Sequence, residues 1–313
     1  MKCKRIVITS LLVLIALFII GVAVFYFISA SVYDDNFGYR CTTSREENFS
    51  IGAFREMKRS RYTFESNKGQ QLVGYLYEPK SEDVEIKGVI VFSHGLGAGG
   101  QRGYMKVYDQ LCKDGYYVFA YDATGNDESE GDVIGGLPQG IADADHAIDF
   151  VHTIERLSNM PVMLMGYSWG AMSVSNVIKY HPEVVAVASL SGWDRSIDMI
   201  AHEGREVAGD AVSYMLPFVS LHELLKYGKY ASCSAMDAFD SSDCKVMIVH
   251  GEDDGVVPIE LGYDKYYEKY SNDERFVFLK YENRGHDIMK TGSGQVDSNL
   301  ISRIIEFFDE SIK

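Results

Sequence analysis

The sequence predicts an α/β fold built on a mostly parallel sheet with helices on both faces. Short apolar segments alternate with amphipathic segments from about residue 88 onward. The apolar segments lack the strict alternation of apolar and polar residues that a half-exposed strand has, and several of them end in polar residues. Strands that are apolar on both faces belong to parallel sheets that helices cover on two sides.

The elements can be assigned in order along the chain. An antiparallel hairpin comes first, with strands RYTFES and QLVGYLYEP joined by a turn at Asn67-Lys68-Gly69. The later strands are expected at GVIVFSH, YYVFAYD, PVMLMGY, VVAVASLSG, KVMIVHGEDD and RFVFLKYEN. Helices are expected at YMKVYDQLCKDG, GIADADHAIDFVHTIE and AMSVSNVIKYHP. The acidic residues Asp143, Asp145 and Asp149 are expected on a solvated helix face.

One long segment interrupts this alternation. Residues 193–243 contain no strand pattern, but they have helical spacing and many Met and Tyr residues. A compact domain rarely contains an unstructured loop of that length. We therefore predict a helical cap insertion at about 193–243, above the edge of the sheet.

The amino-terminal segment departs from the pattern of a soluble domain. Residues 6–28 carry no charge and are rich in Leu, Ile, Val and Phe, and a membrane-spanning helix needs about 20 such residues. A cleavable signal peptide is the alternative, since Ser29-Ala30-Ser31 offers small residues at a cleavage-like spacing. The apolar region of a signal peptide is normally only about 7–15 residues long, however. We expect an uncleaved anchor.

This interpretation divides the chain into four parts. They are a cytoplasmic stub at 1–5, a transmembrane helix at 6–28, a juxtamembrane linker at 29–60 and a globular domain at 61–313. Lys2, Lys4 and Arg5 precede the span, whereas Arg40 is the one basic residue in the 15 that follow it. Because positive flanks stay on the cytoplasmic side, we expect a single-pass protein of the cell membrane with its domain outside.

Composition narrows the function classes. The formal charge of −15 argues against a nucleic-acid-binding protein, which needs a basic face. Five cysteines without C-x-x-C spacing indicate neither a zinc site nor a dense disulfide framework. Cys233 and Cys244 can form a disulfide if the domain faces an oxidising space, or they remain buried thiols.

The glycine-rich loop SHGLGAGGQRG supports two interpretations. Gly95-x-Gly97-x-x-Gly100, with Asp122 at the end of the next strand, matches the fingerprint of an NAD-binding Rossmann fold. The hairpin at 61–79 argues against it, because this hairpin precedes the supposed first Rossmann strand. The NAD interpretation also leaves the other polar residues at strand ends unexplained.

A nucleophilic serine explains those residues. Ser168 lies between Gly166 and Gly170, at the junction of a strand and a helix, and small residues there permit the sharp elbow that exposes a nucleophile. A serine hydroxyl needs a base, and the base needs an orienting carboxylate. Asp253-Asp254 ends a later strand and His286 follows the last strand, in the order Ser, Asp, His.

Together these segments resemble the α/β-hydrolase family over about residues 60–313. The motifs that carry the resemblance are Gly74-Tyr75-Leu76, His94-Gly95-Leu96-Gly97, Asp122-Ala-Thr-Gly125-Asn-Asp-Glu-Ser129-Glu-Gly131, Gly166-Tyr-Ser168-Trp-Gly170, His250-Gly251-Glu-Asp-Asp254 and Gly285-His286. The resemblance implies that Ser168 is the nucleophile, His286 the base and Asp254 the orienting carboxylate. It also implies an oxyanion hole formed by the backbone N–H groups of Leu96 and Trp169.

Together with the predicted anchor, the resemblance implies a membrane-anchored serine hydrolase that cleaves a carboxylic ester through an acyl-enzyme, without cofactor or metal. The alternative within this class is an acyl-peptide or amide hydrolase; those from other classes are an NAD-binding protein and a non-catalytic binding module. We expect a mainly apolar pocket for short to medium acyl chains, lined by Met199, Tyr214, Met215 and Phe218. The sequence departs from the family at Asn126-Asp127-Glu128, where relatives usually carry a Gly and an Arg.

Overall fold

The computed structural model describes residues 2–97 and 99–313, without the side chains of Lys2 and Cys3. Met1 of the predicted stub and Ala98 of the glycine-rich loop therefore lie outside the described residues. The described part of the chain has a single eight-stranded sheet. Its strands are β1 (Met57–Glu65), β2 (Gln71–Pro79), β3 (Gly88–Ser93), β4 (Tyr116–Asp122), β5 (Val162–Tyr167), β6 (Val184–Leu190), β7 (Lys245–Gly251) and β8 (Phe276–Tyr281).

The strand order is β1-β2-β4-β3-β5-β6-β7-β8. β2 pairs antiparallel with both β1 and β4, and every other pairing is parallel. The predicted mostly parallel sheet that follows an antiparallel hairpin is thus confirmed. β1 begins earlier than expected, because Met57 is buried and pairs with Pro79.

The helices are α1 (Lys2–Asn36), α2 (Met105–Lys113), α3 (Pro138–Thr153), α4 (Trp169–Val177), α5 (Ser196–Ala208), α6 (Leu216–Tyr227), α7 (Ala235–Asp240), α8 (Tyr263–Tyr270) and α9 (Ser298–Ser311). Helices α2 and α9 contribute to the apolar core on one face of the sheet, and α3, α4, α7 and α8 to the core on the other. Neighbouring strand residues such as Leu164 and Met165 enter opposite cores. This two-sided burial explains why the strands are apolar on both faces.

The cap lies between β6 and β7. Helices α5, α6 and α7 alternate there with short 3-10 helices at Gly209–Tyr214 and Gly228–Tyr230. No strand occurs in 193–243, all of which the structure describes, so the predicted helical insertion is confirmed.

Helix α1 is longer than the predicted span. From Lys4 to Asn36 it is long and apolar enough to cross a membrane, and most of its apolar side chains are exposed. Its last turns pack on the cap. The rings of Phe25 and Phe218 are 5.2 Å apart, and the Tyr33 hydroxyl donates a hydrogen bond of 2.8 Å to buried Glu223.

The segment expected to be a linker at 29–60 is instead part of the folded domain. Its first residues continue α1 to Asn36, and its last residues belong to β1. Between them, Cys41 exchanges backbone hydrogen bonds of 3.0 and 2.9 Å with Gly125 and Asp127. Glu47 forms an ion pair of 2.9 Å with Lys290. These contacts were invisible in the sequence, because each partner lies more than 80 residues away.

Two further expectations need correction. Asp143 is fully buried, because its carboxylate accepts hydrogen bonds from Ser66 at 2.7 Å and from the Thr124 backbone N–H, also at 2.7 Å. Asp145 is buried as well and meets His181 at 2.7 Å; Asp149 is exposed, as expected.

The possible disulfide is absent. Cys233 and Cys244 are both free and buried, and the Cys233 thiol lies 3.3 Å from the Tyr180 hydroxyl instead.

Candidate active site

Ser168 occupies the turn between β5 and α4. Its backbone has φ 55° and ψ −117°, a combination that residues with a side chain rarely adopt. The Ser168 N–H donates to the Leu190 carbonyl at 2.8 Å, and the Ser168 carbonyl accepts from Met172 N–H at 3.0 Å. These bonds hold the strained turn that is typical of a nucleophile elbow.

The glycines beside the serine are required by close backbone approach. A Cβ atom on Gly166 would collide with the Gly170 carbonyl group, and one on Gly170 would collide with the Ser93 carbonyl group. Both positions have ordinary backbone angles, since neither glycine is among those with positive φ. The predicted elbow glycines therefore let α4 start directly against the ends of β3 and β5.

The three residues predicted to form a triad meet at the carboxyl edge of the sheet. His286 Nε2 lies 2.9 Å from Ser168 Oγ, and His286 Nδ1 lies 2.8 Å from Asp254 Oδ2. With the proton on Nδ1, the ring donates to the carboxylate and accepts from the serine hydroxyl; this tautomer is assigned from the hydrogen bonds. The arrangement can remove a proton from Ser168 as its oxygen attacks an electrophile.

The carboxylate of Asp254 is buried and held in its ionised form. Burial alone would raise its pKa, but hydrogen bonds from His250, His286 and the Val257 backbone N–H outweigh this effect and hold the pKa well below its usual range. An ionised carboxylate stabilises the positive charge that develops on His286.

Asp253 has a different environment. Its exposed side chain accepts hydrogen bonds from the backbone N–H groups of Arg284 and Gly285, each at 2.9 Å. It therefore supports the loop that carries His286 without touching the imidazole. The preference for Asp254 over Asp253 agrees with this geometry.

Two hydroxyl groups hold the backbone of His286. Tyr167 donates to the His286 carbonyl at 3.3 Å and Ser191 donates to it at 3.0 Å, and the Tyr167 ring lies 5.2 Å from the imidazole. Sequence reasoning missed both residues. The one indication in the sequence was that each residue lies at the carboxyl end of a predicted parallel strand.

The two predicted oxyanion-hole residues flank Ser168. Trp169 follows it directly, and Leu96 lies just after β3, whose last residue pairs with Gly166. Buried His94 accepts from Ala123 N–H at 3.0 Å and donates to the Gly95 carbonyl at 2.9 Å. Burial lowers the pKa of His94, so this neutral imidazole ties the Leu96 loop to β4.

The dinucleotide interpretation of the glycine-rich loop conflicts with the structure. Asp122, which would bind the ribose, is fully buried, and its carboxylate accepts from the backbone N–H groups of Gln101 at 2.9 Å and Glu128 at 3.2 Å. Burial raises its pKa to about 7. A Cβ atom on Gly100 would collide with this carboxylate. Gly100 therefore faces the side chain of Asp122, whereas in the NAD fingerprint the glycine would face a pyrophosphate.

The departure from the family pattern at Asn126-Asp127-Glu128 has a local explanation. The Asp127 carboxylate accepts hydrogen bonds from the backbone N–H and hydroxyl of Thr43, at 2.6 and 2.5 Å. It also accepts from Gly100 N–H at 3.1 Å. An acidic residue here joins the segment after α1 to the glycine-rich loop.

A cavity of about 830 Å³ opens above the serine and histidine. Ser168 and His286 lie in its floor, and Met199 and Met215 line its cap side as predicted. Tyr214 and Phe218 do not line it, which corrects that part of the prediction. Tyr214 is 74% exposed, and Phe218 packs on Phe25 of α1. Among the described residues, no group of three or more His, Cys, Asp or Glu side chains is placed to hold a metal ion.

Comparison with known proteins agrees with this fold. A family model described as serine aminopeptidase, S33, matches residues 84–225. An esterase of Pyrococcus furiosus superposes with a TM-score of 0.66 at 15% identity, covering 88% of this chain and 98% of that chain. An acylaminoacyl peptidase of Pyrococcus horikoshii gives 0.62 at 17%, over 83% of this chain and 42% of that one. No curated protein matches the sequence.

An α/β hydrolase of a Penicillium species also superposes, with a TM-score of 0.58 at 16% identity over 82% of this chain and 99% of that chain. The sheet order, the elbow and these similarities show that the chain has an α/β-hydrolase fold. At such low identities the solved structures establish the fold alone, and the residues of the site determine the chemistry.

Proposed function

We propose that the chain is a serine hydrolase that cleaves carboxylic esters. The observation that carries this proposal is the continuous chain of hydrogen bonds from Ser168 through His286 to Asp254. A strained elbow and a large cavity directly above the serine support it, because a nucleophile needs both activation and access.

The proposed reaction has two halves. Ser168 Oγ attacks the ester carbonyl carbon as His286 Nε2 takes the hydroxyl proton, and the backbone N–H groups of Leu96 and Trp169 stabilise the oxyanion. The tetrahedral intermediate collapses, the imidazolium protonates the departing alcohol, and an acyl-enzyme remains. Water then attacks the acyl carbon with His286 as base. The acid leaves and the Ser168 hydroxyl is restored.

An ester is favoured over a peptide by the lining of the cavity. Most lining residues are apolar, including Met199, Val212, Met215 and Val219 of the cap. An aminopeptidase needs an acidic partner for the substrate's amino group, and Glu203 is the one acidic residue of the described lining. That residue and the family model's description make peptide or amide hydrolysis the second candidate.

Hydrolysis by the full chain in detergent tests this proposal. Methylumbelliferyl esters should be cleaved faster than aminoacyl or acetyl-aminoacyl amides, and Ser168→Ala should lower ester turnover by about 10³-fold or more. Glu203→Gln tests the second candidate: it should lower ester turnover far less than Ser168→Ala does. Faster cleavage of the amides, with loss of this activity in Glu203→Gln, would establish the peptidase instead.

We also propose that α1 is an uncleaved membrane anchor with the domain outside the cell. Removal of α1 at Ser29-Ala30-Ser31 would detach Phe25 and Tyr26, which contact Phe218 and His222 of the cap. The basic residues before the span support a cytoplasmic amino terminus. Protease added to intact cells should therefore digest the domain, whereas digestion only after lysis would reverse the orientation.

A further inference from the structure

Helix α6 exposes a row of apolar side chains. Pro217, Leu221, Leu224 and Leu225, hereafter the leucine face, recur at the i, i+4, i+7 and i+8 spacing that places residues on one side of a helix. The three leucines are 44%, 51% and 70% exposed. A contiguous exposed apolar surface of this kind marks an interaction site.

The other sides of α6 identify what lies beside the leucine face. Val219, Glu223 and Tyr227 are buried on the opposite side of the helix. Phe218 and His222 lie between the two sides and contact α1, with Phe25 and Phe218 rings 5.2 Å apart and Tyr26 hydroxyl 3.3 Å from His222 Nδ1. The leucine face is therefore continuous with the surface of α1.

The contact with α1 also fixes the height of α6. Phe25 belongs to the apolar run that ends at Ile28, so at a rise of about 1.5 Å per residue it lies about 5 Å inside the end of that run. Amphipathic helices that bind membranes lie about 5–10 Å into the boundary between headgroups and acyl chains. Lys226, near the other end of α6, pairs with Asp34, which lies about 9 Å beyond that run. When α1 spans a bilayer, the first half of α6, which carries Pro217 and Leu221, is therefore held at the membrane boundary.

The cavity reaches the same place. Ser29, Val32 and Tyr33 of α1 form part of its wall, and exposed Val207 of α5 also lines it. The end of the anchor helix is thus a wall of the cavity that contains Ser168. At about 830 Å³, the cavity lies near the upper end of the roughly 300–1,000 Å³ range of ligand pockets, which favours a longer acyl chain than the sequence led us to expect.

We propose that the leucine face enters the bilayer that α1 crosses, and that the cavity takes its ester substrate from that bilayer. The substrate class is a lipid carboxylic ester whose acyl chain passes from the membrane along α1 to Ser168. This inference rests on the proposed function for its chemistry, whereas the position of the leucine face is independent of catalysis.

The position of the leucine face is tested with the full chain in vesicles of ether-linked phosphatidylcholine. A nitroxide is attached at Leu221→Cys, with Tyr267→Cys on α8 as the control. Tyr267 is 51% exposed, and its aromatic contacts are with Tyr263 and Phe278, which belong to neither α1 nor α6. Both variants carry Cys3→Ser, since Cys41, Cys112, Cys233 and Cys244 are buried.

The label at position 221 should collide with oxygen in the lipid more often than with a water-soluble nickel chelate, and the label at 267 should show the reverse. A water-like pattern at 221 would overturn the proposal. Low collision with both reagents at 221 would also overturn it, since that result indicates coverage by a second protein copy.

The substrate route is tested with two esters that share one leaving group. Replacing all three leucines by serine should lower hydrolysis of methylumbelliferyl oleate in these vesicles about tenfold or more, by loss of apolar contact with lipid. Methylumbelliferyl butyrate in water should change less than twofold, and Tyr267→Ser should alter neither rate.

Unchanged oleate hydrolysis, or an equal loss on both esters, would contradict the lipid route. Failure of the proposed function has a different signature: Ser168→Ala would then hydrolyse the butyrate as fast as the unmodified chain. In that event the nitroxide measurement still decides where the leucine face lies.

Discussion

At the scale of residues, two adjacent carboxylates have different environments. Asp254 is buried and bonded to His286, whereas Asp253 is exposed and bonded to two backbone N–H groups. An oriented anionic carboxylate keeps the imidazole in the tautomer that can accept the serine proton. The surface carboxylate only supports the loop.

Asparagine at each position separates these roles. Asp254→Asn should lower ester turnover by about 10³-fold or more, because the amide no longer holds the productive tautomer. Asp253→Asn should cost less than about tenfold, since its carbonyl oxygen can still accept from Arg284 and Gly285. Steady-state kinetics of the two variants in the same detergent measure this. A near-inactive Asp253→Asn beside an active Asp254→Asn would show the assignment to be wrong.

The sequence located the residues that meet at the site but not those that hold them. Ser168, Asp254 and His286 each follow an apolar strand, and the ends of parallel strands share one edge of the sheet. Tyr167 and Ser191 bond the His286 carbonyl from 119 and 95 residues away. Such bonds depend on side-chain directions and distances that a periodicity does not encode.

At the scale of elements, α1 is joined to α6 by polar as well as aromatic contacts. Asp34 pairs with Lys226 at 2.6 Å and with His222 at 3.0 Å. Buried Glu223 accepts from Tyr33 at 2.8 Å and from Ser196 at 2.6 Å. The apolar run predicted the membrane span but not the packing of α1 on α6. Polar residues that follow a membrane span are normally exposed to solvent.

Glu223 should make the stability of the domain depend on pH. Burial raises its pKa from 4.5 to about 7 in the folded protein. Between these pH values the carboxyl is therefore mostly ionised in the unfolded chain and mostly neutral in the folded chain. Ionisation of the unfolded chain favours unfolding. The contribution of the neutral carboxyl to the free energy of unfolding is therefore complete below pH 4.5 and is lost as the pH rises to about 7. The loss is on the order of 3 kcal/mol.

Glu223→Gln removes this titration while it keeps an oxygen that can accept both hydrogen bonds. We therefore compare the melting temperature of the variant with that of the unmodified chain at two pH values. The variant's melting temperature minus that of the unmodified chain should be larger at pH 8 than at pH 5. Thermal unfolding of the full chain in detergent measures it, with exposed Glu206→Gln on α5 as the control. The same difference at both pH values would mean that Glu223 is not buried as the structure describes.

At the scale of the whole molecule, the sheet order explains where the site forms. β4 and β5 lie on opposite sides of β3. The chain leaves β3 toward β4 but leaves β5 toward β6, so the loops after β3 and β5 diverge. Ligands of open α/β sheets bind at such a switch point. The glycine-rich loop and the Ser168 elbow lie there, which allowed the sequence to predict both the fold and the position of the site.

The sequence was less informative about the amino-terminal 60 residues. Residues 29–60 are polar and weakly periodic, yet they carry contacts from Tyr33, Cys41, Thr43 and Glu47 to distant parts of the domain. Segments without regular periodicity give no local signal of their partners. The same limit applies to the cap. Its helices could be predicted from the sequence, but the side of them that faces the cavity depends on how the cap packs on α1.

Covalent labelling with a fluorophosphonate tests the central claim most directly, since only an activated serine reacts with it. Mass spectrometry of the labelled full chain should find one adduct, on Ser168, and none on Ser168→Ala. His286→Ala should label far more slowly, because its serine has no base. No adduct on the unmodified chain, or equal labelling of Ser168→Ala, would contradict the assignment of Ser168 as an activated nucleophile and leave a non-catalytic binding role.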